Sequence, residues 1–434
     1  MEINIIIGVV GVVLMITLLL MRMWIGVAMM LVGFVGYAVL RHFYGGMSLI
    51  EIVSFSQASF YTLTTVPLFI FMGQMLLEAG IGRDLYDVAY KWLGHVRGGL
   101  VLATVPACAA FGAITGVPTP AEVSIGKTAL PEMRKYGYVD SFSTSSIVAS
   151  SELAVLIPPS IPMIIYGMLT ETSISKLFIA GILPGILLAG MFMITIVILT
   201  RINPKLGPAG TKSGWRARFS SMKLIWPTVV LFLLVLGGIY TGIVTPTEAG
   251  ALGAFGTLII AAFIMRRLPF KLFINSLVES AALSCAIIFL IIGAQIFGRF
   301  LALSGAAKLL VTSIIGLDLP VWGIFAVLIL LYVILGMVLD IMSAVIITMP
   351  VVFPAVVAMG FDPIWFGVII IMTVQMGLMT PPVGLDVFVL SGALNVKVGT
   401  IFKGVWPYVL AVLLCIGILY VFPQIALILP STMR

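Results

Sequence analysis

Charged side chains make up only 9% of these 434 residues, and apolar ones 62%. Soluble domains carry about 25% charge, so a water-soluble globular fold is excluded. Histidine is nearly absent: His42 and His95 stand alone near predicted helix ends. The three cysteines, Cys108, Cys285 and Cys415, lie in apolar stretches without metal-ligand spacing. They read as small membrane-buried side chains, and no zinc, haem or iron–sulfur site is encoded. A Ser/His nucleophile arrangement and a soluble catalytic domain are both missing, so the chain is not expected to be an enzyme. No phosphate-cradling loop of the G-x-x-x-x-G-K-[ST] type is found, which argues against an ATP-driven pump. The first apolar run, 3–20, has neither a basic n-region nor a small-residue cleavage site, and is expected to be a retained helix.

What the chain has in abundance is long apolar runs. They lie near 3–20, 24–40, 58–78, 98–115, 119–131, 141–170, 174–200, 224–240, 246–265, 279–298, 321–338, 341–357, 364–392 and 404–424. A bilayer span takes about 20 residues, so the chain is an all-α polytopic membrane protein. A membrane β-barrel would show ~10-residue alternating segments instead. Two pairs, 98–115 with 119–131 and 321–338 with 341–357, are short and joined by Gly/Pro or polar tips. They read as re-entrant hairpins. Ten full crossings remain, with both termini on one side. Starting outside places seventeen basic residues on the cytoplasmic face. Arg41, Lys176, Arg299, Lys308 and Arg434 fall on the outer face. The basic loop 201–223 carries six cations and no acid, and it fixes this orientation by the positive-inside rule. The +7 net charge is thereby accounted for without nucleic acid.

The order of features in the first half recurs in the second. Pro131, Gly137, Pro158 and Pro159 precede Pro354, Gly360, Pro381 and Pro382 by 223 residues each, and Glu152 stands opposite Gln375 at the same offset. Gly73, Leu76, Gly80, Arg83 and Leu85 match Gly298, Leu301, Gly305, Lys308 and Leu310 at an offset of 225. Each unit runs helix, amphipathic linker, hairpin, turn, then a helix broken by Pro-Pro, and the topology makes the two units inverted. Expected boundaries are scaffold helices over 1–57, repeat 1 over 58–170, further scaffold over 171–278, repeat 2 over 279–392 and a last scaffold helix over 393–434. Inverted repeats with broken helices indicate a secondary transporter whose site lies where the repeats meet.

The physical reason is the backbone. Each Pro-Pro removes two N–H donors and frees carbonyls of the preceding turn, which suit a hard cation such as Na⁺. The N-terminal ends of the half-helices that follow suit an anionic group. Intramembrane charges are costly and default to functional candidates. Asp340 at the second hairpin tip and Asp386 after Pro381-Pro382 are read as cation ligands, with capping or pairing as the structural alternative. Glu122, Lys127 and Glu152 are candidate substrate contacts, with Lys127 snorkelling to the surface as its alternative. Glu248, three residues after Thr245, reads as half of a capping box.

Several segments also resemble one transporter family. These are Phe111–Gly116, Pro131-Glu132-Met133, Ile157-Pro-Pro-Ser-Ile-Pro162 with Tyr166-Gly167, and Gly377-Leu-Met-Thr-Pro-Pro-Val-Gly384 with Phe388. They resemble the large membrane subunit, the DctM-like permease, of tripartite ATP-independent periplasmic (TRAP) transporters, over essentially the whole chain. The resemblance implies an elevator-type fold in the bacterial inner membrane, where the charge count above places both termini on the periplasmic side. It also implies Na⁺-driven import of an organic acid delivered by a periplasmic substrate-binding protein, beside a small four-helix membrane subunit. No cofactor is implied beyond Na⁺ as coupling ion. By the same resemblance the ion sites fall on Thr115, Gly116, Pro158, Ser160, Gly336, Asp340, Thr380 and Gly384, with Ser343 beside Asp340 at the second tip. The first tip reads Thr-Gly-Val-Pro-Thr-Pro-Ala where the family has Ser-Gly-Ser-Ser-Pro-Ala, so Thr119 stands in for a missing hydroxyl. Asp386 replaces the family's more frequent Asn. A binding-protein-independent elevator symporter of ions and dicarboxylates shares the repeats and hairpins and is the competing reading.

Overall fold

The computed structural model describes residues 2–21, 23–306, 309 and 320–433, and no strand occurs among them. Arg22, Lys308, Leu310 and Arg434, used above in the charge count and repeat alignment, lie outside the described residues. Six helices are long and apolar enough to cross a membrane, or eight when each bent pair counts as one span. Two of these eight, Val321–Val338 and Ile341–Ala358, are the arms of the second hairpin; the ten expected crossings are the other six with Ile3–Leu19, Ile25–Leu40 and the two Pro-Pro-broken helices, whose pieces are shorter.

The chain opens with α1 (Glu2–Leu20), α2 (Ile25–Leu40) and α3 (Phe43–Ala58). Sequence reading gave no helix at α3, because Ser48, Glu51, Ser54, Ser56 and Gln57 interrupt its hydropathy. The imidazole of His42 accepts a hydrogen bond from Gly45 N (2.7 Å) and caps its start. The first repeat follows as α4 (Thr65–Glu78), the amphipathic linker α5 (Ile81–Leu93), the hairpin α6 (Gly99–Thr115) and α7 (Pro118–Lys135), and a broken helix. The last consists of α8 (Asp140–Ser151), a 3₁₀ turn Glu152–Val155 and α9 (Ile161–Leu169). Between the repeats lie α10 (Ile174–Ile202), α11 (Trp215–Tyr240) and α12 (Pro246–Ile259). The second repeat holds α13 (Phe270–Ser304), the hairpin α14 (Val321–Val338) and α15 (Ile341–Ala358), and the broken helix α16 (Pro363–Leu378) and α17 (Leu385–Leu394). The chain ends with α18 (Val398–Val421) and α19 (Gln424–Ser431).

Two boundaries differ from expectation. The stretch 215–223, read as part of a basic loop, is helical and meets Ile225–Tyr240 at 58°. Helix α13 has 35 residues rather than the twenty expected. At 1.5 Å per residue it runs about 50 Å, beyond a ~30 Å hydrocarbon core. Of the cysteines, Cys108 and Cys415 are buried, but Cys285 is exposed on the side of α13. The Thr245–Glu248 capping box is formed: Thr245 N donates to Glu248 Oε2 (2.8 Å) and Glu248 N to Thr245 Oγ1 (3.3 Å).

The repeats interlock in equivalent ways. In each, the first hairpin arm packs along the first half of its own broken helix, α6 on α8 and α14 on α16. In each, the second arm crosses to the other repeat, α7 against α17 and α15 against α9. The hairpins themselves differ. The arms of the first lie side by side, whereas α14 and α15 diverge, held by Tyr332 OH donating to Thr348 Oγ1 (2.8 Å), and lean on the broken helices.

Candidate functional site

The hairpin tips meet the helix breaks through a repeated backbone contact. Ile161 N, just past the first Pro-Pro, donates to Gly116 O at the first tip (3.2 Å). Gly384 N, 223 residues later and just past the second Pro-Pro, donates to Met337 O at the second tip (3.3 Å). Two glycines make this possible. Gly116 has φ +68°, and a Cβ there would sit 2.7 Å from the Pro159 carbonyl oxygen. At Gly336 a Cβ would collide with the Val374 carbonyl, so only glycine lets α14 lie against α16. Small residues at such crossings are how membrane helices gain close packing.

The hydroxyls expected at these tips are mostly occupied. Thr115 Oγ1 donates to Val117 O (3.1 Å) and Phe111 O (3.3 Å), and Thr380 Oγ1 to Met376 O (2.6 Å). Ser160 Oγ caps α9 by accepting from Met163 N (3.4 Å), and it and Pro158 are buried. Thr119 is exposed at the second position of α7. Asp340 is exposed and caps α15: its carboxylate accepts from Ser343 N (3.1 Å) and from the Ser343 hydroxyl.

Between the junctions the structure brings together Glu122 of α7, Glu152 of the 3₁₀ turn, Gln375 of α16 and Asp386 of α17. All four are buried, Glu122 completely. Gln375 Nε2 donates to Asp386 Oδ2 (2.9 Å). Glu122 lies within electrostatic reach of Asp386 and Glu152, and Glu152 within reach of Asp386. Both oxygens of Glu122, one of Glu152 and the amide oxygen of Gln375 have no hydrogen-bond partner. The repeat-equivalent pair Glu152 and Gln375 therefore converges on one carboxylate. Among the described residues no three acidic, His or Cys side chains approach closely enough to hold one metal ion jointly. The group gathers carboxyl and amide oxygens from both repeats in one buried place. None of its carboxyls forms an ion pair with a basic side chain among the described residues.

Lys127 does not join that cluster. It is exposed and lines a polar vestibule of about 1020 Å³ with Arg83, Asp84, Asp87, Glu132 and Arg267. An ion pair between Arg267 and the nearly buried Asp84 ties this vestibule to the chain entering α13. The tripeptide Gly126-Lys127-Thr128 is helical, with Ala121 where a phosphate loop has its first glycine.

The sequence matches the family model of the tripartite ATP-independent periplasmic transporter, DctM component, over residues 12–425. The chain belongs to the DctM family of TRAP large permeases. It is 33% identical over 379 residues to the C4-dicarboxylate TRAP transporter large permease protein DctM of Pseudomonas aeruginosa, covering 87% of this chain and 88% of that one. It is 32% identical to the ectoine TRAP transporter large permease protein TeaC of Halomonas elongata, covering 85% and 86%. It is 33% identical to the isethionate TRAP transporter permease protein DctMQ of Oleidesulfovibrio alaskensis, of which it spans only 57%. Among solved structures, the YdaH transporter of Alcanivorax borkumensis aligns with TM-score 0.57 at 14% identity, over 86% of this chain and 88% of that one. This likeness bears on the fold alone. The chain is thus a multi-pass inner-membrane permease subunit and not an enzyme.

Sequence reasoning missed Gln375 as a partner of Asp386, although its alignment with Glu152 was the available signal. It also missed Gln74 of α4, which faces a small recess beside Thr115 and Ile161 with its amide oxygen unpartnered. Only its place in the arm helix of the repeat could have pointed to it.

Proposed function

We propose that this TRAP permease subunit imports a small organic acid by Na⁺-coupled, elevator-type alternating access. The observation that carries the reading is the paired junction: Ile161 N to Gly116 O and Gly384 N to Met337 O, at equivalent places in two repeats. Each hairpin tip is thereby fastened to a helix break, so tips and breaks travel as one body. Unwound backbone supplies oxygen ligands for Na⁺ on both sides of that body. We assign ion binding to Thr115, Gly116, Pro158, Ser160, Gly336, Asp340, Ser343, Thr380 and Gly384. Backbone carbonyls do most of the work, and Asp340 adds charge. Asp386 joins the ion ligands, and Glu122 and Glu152 remain proposed substrate contacts beside it. Of the three proposed substrate contacts, Lys127 in the vestibule is the one whose charge suits an organic anion.

The substrate class rests on relatives named for C4-dicarboxylates and isethionate. The partners follow from the family: a small membrane subunit and a periplasmic binding protein. The length of the DctMQ relative that this chain does not span has room for such a subunit. With the termini outside, the vestibule beside Lys127 opens to the cytoplasm. Reconstituted uptake tests the reading. It should require both partners and proceed without ATP, and uptake by the subunit alone would point to the binding-protein-independent symporter.

A further inference from the structure

At the base of the first hairpin, away from its tip, the turn between α5 and α6 meets the start of α11 at a second polar cavity, of about 420 Å³. It is lined by His95, Lys212, Ser213, Gly214, Trp215 and Arg218, with no acidic side chain among them. Arg218 is 93% buried, being only 7% exposed. Its guanidinium lies between the rings of Trp215 (5.1 Å) and Trp92 (5.9 Å) and meets His95 Nδ1 through Nη2 (3.2 Å). Its Nε has no partner, and no carboxylate pairs with it among the described residues. Helix α11 contributes its N-terminus at the same place. Gly214 is the N-cap and offers no side-chain acceptor, so the positive end of the segment 215–223 has no side-chain cap. A buried, stacked arginine with an unused donor, an uncapped helix start and a flexible lysine is the donor set for a phosphate group.

The neighbouring surface says which phosphate. Trp215, Phe219 and Met222 are exposed at 65%, 58% and 45% and fall on one stripe of the helix. Arg216 and Lys223 form a second stripe beside it, and this segment lies at 58° to the rest of α11. That is the arrangement of an amphipathic helix in the membrane interface. We infer that the cavity binds the phosphate of an anionic phospholipid. The headgroup engages Arg218, Lys212 and the α11 N-terminus, and the acyl chains lie along the aromatic stripe. The lipid then bridges the turn after α5 to the start of α11, beside the backbone bonds from Gly210 N to Gly94 O (2.9 Å) and Gly98 N to Gly207 O (2.9 Å) that join this turn to the loop before α11.

The test is native mass spectrometry of the full-length chain, purified, delipidated and titrated with phosphatidylglycerol, phosphatidylcholine or inorganic phosphate. Phosphatidylglycerol should bind about tenfold more tightly than phosphatidylcholine, and Lys212→Gln and Arg218→Gln should each weaken it about tenfold. Lys212 is exposed, so its variant should fold normally even where Arg218→Gln does not, and Lys403→Gln should change nothing. Phosphatidylglycerol binding unaffected by Lys212→Gln would overturn the inference. So would inorganic phosphate displacing the lipid at comparable concentration, which would mark a free-anion site. Loss of the small membrane subunit from the Lys212→Gln protein, with lipid binding intact, would make this face a protein interface and equally refute it.

Discussion

Replacing Asp340 by Asn separates two roles that the structure superimposes on one side chain. Asp340 caps α15, accepting from Ser343 N at 3.1 Å, and stands four residues from Gly336 at the second tip. Asn is as good an N-cap as Asp, so Asp340→Asn should leave folding and membrane abundance unchanged while removing the charge. A hydrogen bond or ligand contact from an ionised group is worth roughly 1.5–3 kcal/mol, which is about ten- to a hundredfold in affinity. Initial uptake rates against Na⁺ concentration should therefore show the half-saturating concentration raised by that factor. Asp340→Ala should lose the cap as well, costing about 0.5–2 kcal/mol of stability on top of the same Na⁺ effect. Glu248→Gln, whose partner is the Thr245 backbone, should leave Na⁺ dependence untouched. If Asp340→Asn transports with the parental Na⁺ dependence, the carboxylate is a cap alone and the second ion site rests on carbonyls and Thr380.

Other consequences follow from the packing. Gly336→Ala places a methyl group on the Val374 carbonyl, so α14 must lift from α16. Overpacking of this kind costs about 1–3 kcal/mol, and thermal unfolding in detergent should show the loss together with reduced uptake. Glu122 and Lys127 face different places, a buried cluster and a vestibule. A double-mutant cycle of Glu122→Gln and Lys127→Gln on uptake should therefore be additive within about 0.5 kcal/mol, and strong coupling would place both on one ligand. Affinity purification of this chain co-expressed with its small membrane subunit should recover both; recovery of the large chain alone would argue against a shared scaffold.

Much of the fold was legible because membrane insertion writes itself in long apolar runs and in punctuation. The Pro-Pro pairs and the tip sequences placed both hairpins and both breaks within a few residues. The helices that escaped are those carrying polar residues: α3, and the start of α11, where Arg216, Arg218 and Lys223 imitate a loop. Amphipathic segments at an interface have no long apolar run to reveal them. Asp340 was legible as a hairpin-tip residue, but whether it caps or ligates depends on backbone angles that hydropathy does not encode. The convergence of Glu122 from one repeat and Asp386 from the other depends on α7 crossing to α17, a tertiary fact. Lys127 was separable from Glu122 by helical spacing alone, since five residues do not share a face.

The most direct measurement of Na⁺ coupling is accumulation in proteoliposomes holding both membrane subunits, with saturating binding protein outside. An inward Na⁺ gradient should concentrate the organic acid above its external level, and collapsing the gradient with equal Na⁺ on both sides should abolish that accumulation. Equal accumulation with and without the gradient would contradict the account.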